Sequence, residues 1–177
     1  MNLRKIIISS LLLAIGLVLH QVTPPILFGM KPDILLSMMF IAILLNKDYK
    51  MTLIVGLAAG ILTAATTTFP GGQIPNIVDK LITCNFIYLI IMIIDKINDE
   101  INNKINNLVK MFIISMIGTL ISGAVFLGTA SLLFGLPGSA SFSTLMFIVV
   151  FPATLVNTIA CLILYNAVEL ALKRISY

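Results

Sequence analysis

Six long apolar segments, joined by short polar stretches, restrict the possible folds of this chain more than any other feature. Of its 177 residues, 59% are hydrophobic and 10% are charged, whereas a soluble domain carries about 25% charged residues. A chain of this length cannot hide so much apolar surface from water, so its solvent must be lipid. The sequence therefore predicts an all-α, polytopic membrane protein with six transmembrane helices, forming a single domain over residues 1–177. The apolar segments are approximately residues 6–19, 34–45, 51–69, 81–94, 111–136 and 142–168.

The lengths of these segments are unequal. A transmembrane helix needs about 20 residues to cross the hydrocarbon core. The third, fifth and sixth segments are long enough, whereas the first, second and fourth must include their polar flanks at residues 20–22, 30–33 and 76–80. The second segment is the weakest indication of a membrane-spanning helix.

Basic residues are distributed unevenly between the two sets of loops. With the N-terminus placed inside, nine basic residues fall in inner ends and loops and two in outer ones. This bias follows the positive-inside rule and predicts that both termini are cytoplasmic. The net charge of +4 thus indicates topology, and we expect no nucleic-acid partner. The inner residues are Arg4, Lys5, Lys47, Lys50, Lys96, Lys104, Lys110, Lys173 and Arg174, and the outer ones are Lys31 and Lys80.

The predicted outer loop over residues 66–80 has the sequence TTTFPGGQIPNIVDK. Its two prolines and its glycine pair exclude one regular helix over the whole stretch. Irregular backbone at membrane depth is tolerated where protein buries it or where it lines a wet cavity. We therefore expect a shaped loop at the mouth of a site, followed by a helix entered near Asn76; a plain connecting turn is the alternative.

Patterns of soluble catalytic chemistry are absent from the sequence. There is no nucleotide-binding GxxxxGK[ST], no HExxH and no GxSxG. Cys84 and Cys161 lie in apolar segments without disulfide or metal spacing. We expect no metal, no cofactor and no enzyme activity. One enzymatic alternative is an intramembrane aspartyl pair of Asp33 and Asp79, although a lysine close to each would keep it ionised.

Groups suited to binding a zwitterion gather near the predicted outer ends of the helices. Lys31 and Lys80 can bind a carboxylate, and Asp33 and Asp79 can bind an ammonium. Amides can satisfy further polar groups, and aromatic rings, with Phe126 and Phe134 at similar depth, can form a wall. Alternatively, the charges pair with one another across helices. The candidate substrate-binding residues are Phe28, Lys31, Asp33, Phe69, Gln73, Asn76, Asp79, Lys80 and Asn157.

Small residues recur at spacings of four, which allows close helix packing in lipid. Gly56, Gly60 and Ala64 form such a stripe on the third segment, and packing within the chain is its simplest explanation. Ser10 and Ala14 form a second stripe on the first segment. This stripe could face a partner protein, so we take both residues as candidate docking residues.

Two further patterns concern the inner loop at residues 95–110 and the sixth segment. Apolar residues at positions 97, 101, 105 and 108 indicate an amphipathic helix on the inner leaflet, with an Asn-rich linker as the alternative. Pro152 is expected to kink the sixth helix, and Asn157 within it needs a partner or a ligand.

Several stretches together resemble a known family. They are FGMKPD at residues 28–33 after LAIGLVLH at 13–20, TTTFPGGQIPNIVDK at 66–80, GTLISGAVFLG at 118–128 and GLPGS at 135–139. They are similar to the tryptophan-transporter family TrpP of bacterial membrane proteins, one of the substrate-binding S components of energy-coupling factor (ECF) transporters. The resemblance covers nearly the whole chain.

The resemblance implies a multi-pass protein of the bacterial cell membrane with an outward substrate site. It implies uptake of L-tryptophan or a related aromatic compound, energised by a separate module of a transmembrane T protein and two ATPases. S components often dock the T protein through Ala-xxx-Ala on the first helix, for which Ser10-xxx-Ala14 is the nearest match here. A solitary transporter driven by an ion gradient is the alternative.

Overall fold

The computed structural model describes residues 3–24, 33–102, 104–136 and 141–175. These residues form six helices and no strand, which confirms the prediction of an all-α fold. The sixth helix, α6, is continuous but has three parts: an α-helical turn Phe142–Leu145, a π-helical turn Met146–Val150 and an α-helix Phe151–Ile175. The other helices are α1 (Leu3–Val22), α2 (Ile34–Asn46), α3 (Tyr49–Thr66), α4 (Gln73–Glu100) and α5 (Asn107–Leu133).

Five of the six helices in the described residues are long and apolar enough to cross a membrane, namely α1, α3, α4, α5 and α6. The fourth apolar segment is much longer as a helix than its apolar residues suggest. It begins at Gln73, so the polar stretch at residues 76–80 belongs to its first two turns rather than to a loop. The chain is a polytopic α-helical membrane protein, as predicted.

Helix α2 is the exception, because it is short and lies at the centre of the bundle. Its 13 residues span about 20 Å at 1.5 Å per residue. Leu35, Met39 and Ile41 are fully buried, and α2 contacts each of the other five helices. Asp33 caps its start by accepting from the Leu36 backbone N–H. The neighbouring helices thus cover α2 on nearly every side, so its apolar surface is buried by protein rather than by lipid.

The starts of α1, α3 and α5 and the ends of α2, α4 and α6 meet at one end of the bundle, which we call the lysine end. Lys5 Nζ donates to the Asn46 carbonyl at 2.7 Å, and Asn46 Nδ2 donates to Ser9 Oγ at 2.7 Å. Lys47 and Lys110 both pair with Asp95. This end carries the basic residues that the charge bias assigns to the cytoplasm.

The amphipathic helix expected over residues 95–110 is absent from the described part of this stretch. Helix α4 continues to Glu100, and α5 starts at Asn107. Asn98 Oδ1 accepts from the Ile105 N–H, and Asn106 Oδ1 accepts from the Val109 N–H as the N-cap of α5. Asparagine competes with the helical backbone through such bonds, so these side chains close a turn where the apolar spacing alone indicated a helix.

The glycine stripe on α3 packs within the chain. A Cβ on Gly56 would lie 2.3 Å from Cys84 Sγ, and a Cβ on Gly60 would lie 3.1 Å from Ile77 Cα. Both contacts are with α4, so the absence of side chains allows the two helices to approach closely.

Proline at position 152 is accommodated without breaking α6. Proline lacks the backbone N–H that a helix needs for its i−4 bond. The helix widens into its π-helical turn, Met146–Val150, just before this residue. The kink at Pro152 stays a prediction, and the irregularity that the structure shows beside it is a π-turn, a form that is frequent at functional sites.

Candidate functional site

A cavity of about 300 Å³ lies between α2, α4, α5 and α6 at the end of the bundle opposite the lysine end, which we call the cavity end. This volume is at the lower limit of ligand pockets, which occupy about 300–1,000 Å³. Its polar lining residues are Asp33, Asn76, Asp79, Lys80, Thr119, Ser122 and Asn157. Its apolar lining includes Leu36, Phe69, Phe126, Leu127, Val149, Val150 and Ala153.

Helix α4 supplies three of the polar groups because of where it begins. Asn76, Asp79 and Lys80 are three and four residues apart, which places them on one helical face. Asn76 Nδ2 donates to the Gly72 carbonyl at 2.8 Å and so stabilises the first turn. Pro75 fits in this turn, where its missing N–H would have no helical acceptor.

Lys80 is the centre of a buried charge cluster. Its Nζ donates to Asp79 Oδ2 at 2.6 Å, to Asp33 Oδ2 at 3.0 Å and to Ser122 Oγ at 3.4 Å. Only 2% of its side chain is exposed. An ammonium has three N–H donors, so these three contacts occupy all of them.

The two carboxylates differ in their surroundings. Asp79 is 1% exposed, and its oxygens accept from Lys80, from Ser122 Oγ at 2.9 Å and from Thr83 Oγ1 at 2.9 Å. Asp33 has 24% of its side chain exposed and lines the cavity. Asp79 is therefore enclosed by protein donors, whereas Asp33 faces open space.

Asp33 is held from several helices. Its backbone N–H donates to Asn157 Oδ1 at 2.9 Å, and its Oδ1 accepts from the Leu36 N–H at 2.9 Å. His20 Nδ1 lies 3.9 Å from the same Oδ1. These contacts join the start of α2 to α6 and to the end of α1, so the position of the carboxylate is fixed by the bundle.

The mouth of the cavity has an aromatic side. Phe69 and Phe126 pack edge to face, with ring centroids 5.1 Å apart and an interplanar angle of 82°. Gly71 has a positive φ of 72°, and a Cβ there would meet the Phe134 ring at 2.8 Å. Gly71 thus lets the loop fold closely onto the end of α5.

The structure brings six of the nine predicted substrate-binding residues to this cavity. Gln73 is exposed at the first position of α4 and is not part of the lining. Phe28 and Lys31 lie outside the described residues. Lys80 pairs with Asp33 and Asp79. This is the alternative named above, in which the charges pair with one another across helices. The six are Asp33, Phe69, Asn76, Asp79, Lys80 and Asn157.

Three residues of α5 were missed as part of the site. Thr119, Ser122 and Gly123 line the cavity together with Phe126, which was expected in the aromatic wall, and the four are at spacings of three, one and three. A Cβ on Gly123 would lie 2.5 Å from Val150 Cγ1, so this glycine allows α5 and α6 to meet beside the cavity. Small and polar residues at helical spacing were the available signal.

The candidate docking residues Ser10 and Ala14 are both exposed on α1. Their neighbours on the other side of the helix, Ser9 and Leu13, are buried. The Ser10–Ala14 stripe therefore faces outward from the bundle, away from the packing of α1 on α2.

The bundle defines a class, the polytopic α-helical membrane proteins, and it encloses a cavity lined by charged and aromatic side chains. The family model described as "Tryptophan transporter TrpP" matches residues 2–173. The chain belongs to this family. It is 51% identical over 173 residues to a "Probable tryptophan transport protein" of Clostridium acetobutylicum, covering 98% of this chain and 96% of the relative.

Two further relatives carry the same description. The protein of Clostridium perfringens is 46% identical, covering 99% of this chain and 96% of the relative, and that of Bacillus subtilis is 40% identical, covering 100% and 97%. No solved structure matches the chain significantly. The family and these descriptions identify a transport protein, not an enzyme. The aspartyl-enzyme alternative is therefore not supported, and Lys80 lies between its two carboxylates.

Proposed function

We propose that this chain is the substrate-binding subunit for uptake of L-tryptophan or a related aromatic compound across the bacterial cell membrane. The observation that carries this proposal is the cavity itself. The cavity has an aromatic mouth, formed by Phe69 and Phe126, and a charged floor, formed by Asp33, Asp79 and Lys80. This arrangement suits a small molecule with an aromatic side chain at one end and charged groups at the other. Charged side chains inside a membrane protein are costly and mark substrate pathways.

Binding can be tested directly with the purified chain. The protein contains no Trp, so indole fluorescence comes from the ligand alone, and we expect a saturable change as the protein is titrated into tryptophan. Ala153 lines the cavity, so Ala153→Phe should fill it and abolish the change. Ala167 is exposed on the same helix, and Ala167→Phe is the matched control. No saturable signal from the parent protein would refute the proposal.

We further propose that transport is energised by a separate ECF module of a T protein and two ATPases. The chain has no nucleotide-binding motif, so uphill uptake through ATP needs another protein. The outward Ser10–Ala14 stripe supports α1 as the docking surface, because small residues allow helices to approach closely in lipid. The partners of the chain are then this module and the surrounding membrane lipid.

The docking proposal predicts that Ser10→Leu with Ala14→Leu keeps tryptophan binding and loses both transport and co-purification with the module. Leucine inserts well in membranes, so α1 should remain in place. Ala167→Leu, an exposed small-to-large change on α6, should leave both unchanged. Loss of binding in the double variant would show that the stripe serves the fold. Transport in cells that lack every such module would favour a solitary, ion-driven transporter.

A further inference from the structure

The charge cluster at the cavity contains two carboxylates and one ammonium among the described residues. Asp33 and Asp79 both bind Lys80, and no fourth charged side chain of the described residues lines the cavity. Charge pairs are poorly screened in a low-dielectric interior. A bound ligand therefore meets an excess of carboxylate over ammonium at the floor.

Lys80 has no donor left for the carboxylate of a ligand. Its three contacts are with Asp79, Asp33 and Ser122, and it is 2% exposed. A ligand carboxylate could bind this ammonium only by displacing one of these partners. Breaking a buried charge pair is strongly unfavourable.

Asp33, in contrast, has acceptor capacity that faces the cavity. Its Oδ2 accepts only from Lys80 among the described residues, and each carboxylate oxygen has two lone pairs. The side chain is 24% exposed. Asp33 is thus the charged group at the floor that can accept a hydrogen bond from a ligand.

The unused donors at the floor are neutral. Thr119 Oγ1 is buried and has no hydrogen-bond partner among the described residues. Asn157 uses its Oδ1 for the Asp33 N–H, and its Nδ2 has no partner among the described residues. A ligand carboxylate would therefore meet a hydroxyl and an amide, whereas a ligand ammonium would meet a carboxylate. Both contacts would be charge-assisted hydrogen bonds, but only the ammonium on Asp33 also gains the attraction of an opposite charge, whereas a ligand carboxylate would lie beside the excess carboxylate of the cluster.

We propose that Asp33 makes this cavity selective for the ammonium of its ligand, so that aromatic primary amines without a carboxylate form a further ligand class. This inference rests on the proposed function of the same cavity. Tryptamine, which keeps the ammonium, binds, and indole-3-propionate, which keeps only the carboxylate, binds more weakly than tryptophan. The aromatic ring lies toward Phe69 and Phe126, and the ammonium lies on Asp33.

The chain offers a matched control for neutralising Asp33. Asp33 and Asp48 are both N-caps, with Oδ1 accepting from the Leu36 N–H at 2.9 Å and from the Met51 N–H at 2.8 Å, respectively. Asparagine caps a helix about as well as aspartate. Asp33→Asn and Asp48→Asn therefore make the same chemical change at equivalent positions, one at the cavity and one at the lysine end.

Isothermal titration of the full chain in detergent with tryptophan, tryptamine and indole-3-propionate tests the inference. In the parent we expect indole-3-propionate to bind roughly tenfold or more weakly than tryptophan, the loss typical of one charged hydrogen bond. We expect tryptamine to remain within tenfold of tryptophan. In Asp33→Asn the penalty for removing the ammonium should largely disappear, and in Asp48→Asn it should persist. This is a double-mutant cycle between ligand and protein.

The possible outcomes separate this inference from the proposed function. Binding of tryptophan and indole-3-propionate but not tryptamine overturns the ammonium selectivity and leaves the function intact. Binding of tryptamine alone supports the selectivity and refutes tryptophan as the substrate. No binding of any of the three refutes both. A penalty that is unchanged in Asp33→Asn shows that another group holds the ammonium, and the parent series still decides if this variant does not fold.

Discussion

Two three-membered charge clusters lie at opposite ends of this bundle, and they have opposite composition. At the cavity end one ammonium, Lys80, lies between two carboxylates, and at the lysine end one carboxylate, Asp95, lies between Lys47 and Lys110. Lys80 is 2% exposed, whereas Lys47 is 47% and Asp95 27% exposed. The first cluster is thus enclosed by protein, and the second is open at its edge.

The difference in burial separates two roles that charges have in a membrane protein. Taking charges out of water costs several kcal/mol per ion, so the cavity cluster is an unfavourable arrangement of a kind that is typical of functional sites in membrane proteins. The lysine-end cluster stays near the boundary and carries excess positive charge, as the cytoplasmic side of a membrane protein does. Four experiments can break or sharpen this contrast.

The largest expected effect comes from removing the central lysine of the buried cluster. Lys80→Met leaves Asp33 and Asp79 without their common partner, and breaking a buried pair typically costs about 3–5 kcal/mol of stability. Lys47→Met, the matched change at the lysine end, should cost no more than about 1 kcal/mol, because exposed pairs contribute little. Thermal unfolding in one detergent measures both. Equal losses would show that the two clusters do not differ as their burial indicates.

A smaller effect should distinguish the two carboxylates of the cavity cluster. Asp79→Asn places an amide NH₂ among the donors of Lys80, Ser122 and Thr83, and we expect it to lower stability by about 1.5–3 kcal/mol. Asp33→Asn should cost less, since asparagine still caps α2 and the side chain faces the cavity. The same unfolding measurement applies. A greater loss for Asp33→Asn would reverse the assignment of Asp79 as the structural partner and Asp33 as the ligand-facing group.

The wall of the cavity can be tested with two glycines of one helix. Gly123→Ala brings a Cβ to 2.5 Å from Val150 Cγ1, whereas a Cβ on Gly128 meets nothing within 4 Å. Overpacking typically costs about 1–3 kcal/mol, so Gly123→Ala should lower stability and weaken ligand binding together. Gly128→Ala should stabilise slightly, because glycine is unfavourable inside a helix. Unchanged binding in Gly123→Ala would mean that this contact does not shape the site.

The smallest effect on stability is expected from a test of topology, which asks which end of the bundle faces outside. It needs only single cysteine substitutions at exposed positions. The charge bias predicts that Gln73 is outside and Glu100 is inside, and both are exposed. Labelling of intact cells with an impermeant thiol reagent should reach Gln73→Cys and not Glu100→Cys. The native Cys84 and Cys161 are buried and should give little background. The reverse labelling pattern would place the lysine end outside.

Much of the site could be predicted from residue type and position alone. Asp33, Asp79, Lys80 and Asn157 are polar groups in apolar surroundings, and such groups must find partners. The sequence could not show which partners they find. Lys80 and Asp33 are 47 residues apart, and their contact depends on how far α2 and α4 are rotated about their axes. Residue type suggests that Lys80 binds the carboxylate of a ligand. In the structure, however, all three N–H donors of Lys80 already have partners in the protein.

Two elements show where local patterns mislead. Helix α2 was the weakest predicted span because it is short, yet it is the most buried helix of the described bundle, in contact with all the others. Residues 95–110 have apolar spacing that suits a surface helix, but Asn98 and Asn106 close a turn there. In both places tertiary packing or a side-chain cap outweighs periodicity.

The sequence by itself determined the solvent, the helical class, the family and the separation of basic residues toward one end. The family follows from the resemblance of particular stretches of sequence, and the other three properties follow from composition, charge and the lengths of apolar runs, which do not depend on neighbours in the fold. Only the tertiary structure decided that α2 is central, that Lys80 binds both aspartates and that Thr119, Ser122 and Gly123 of α5 complete the cavity. The physical reason is that a helix apolar on nearly every side carries little information about which side faces protein and which faces lipid, so its rotation is set by close packing and by the pairing of its few polar groups.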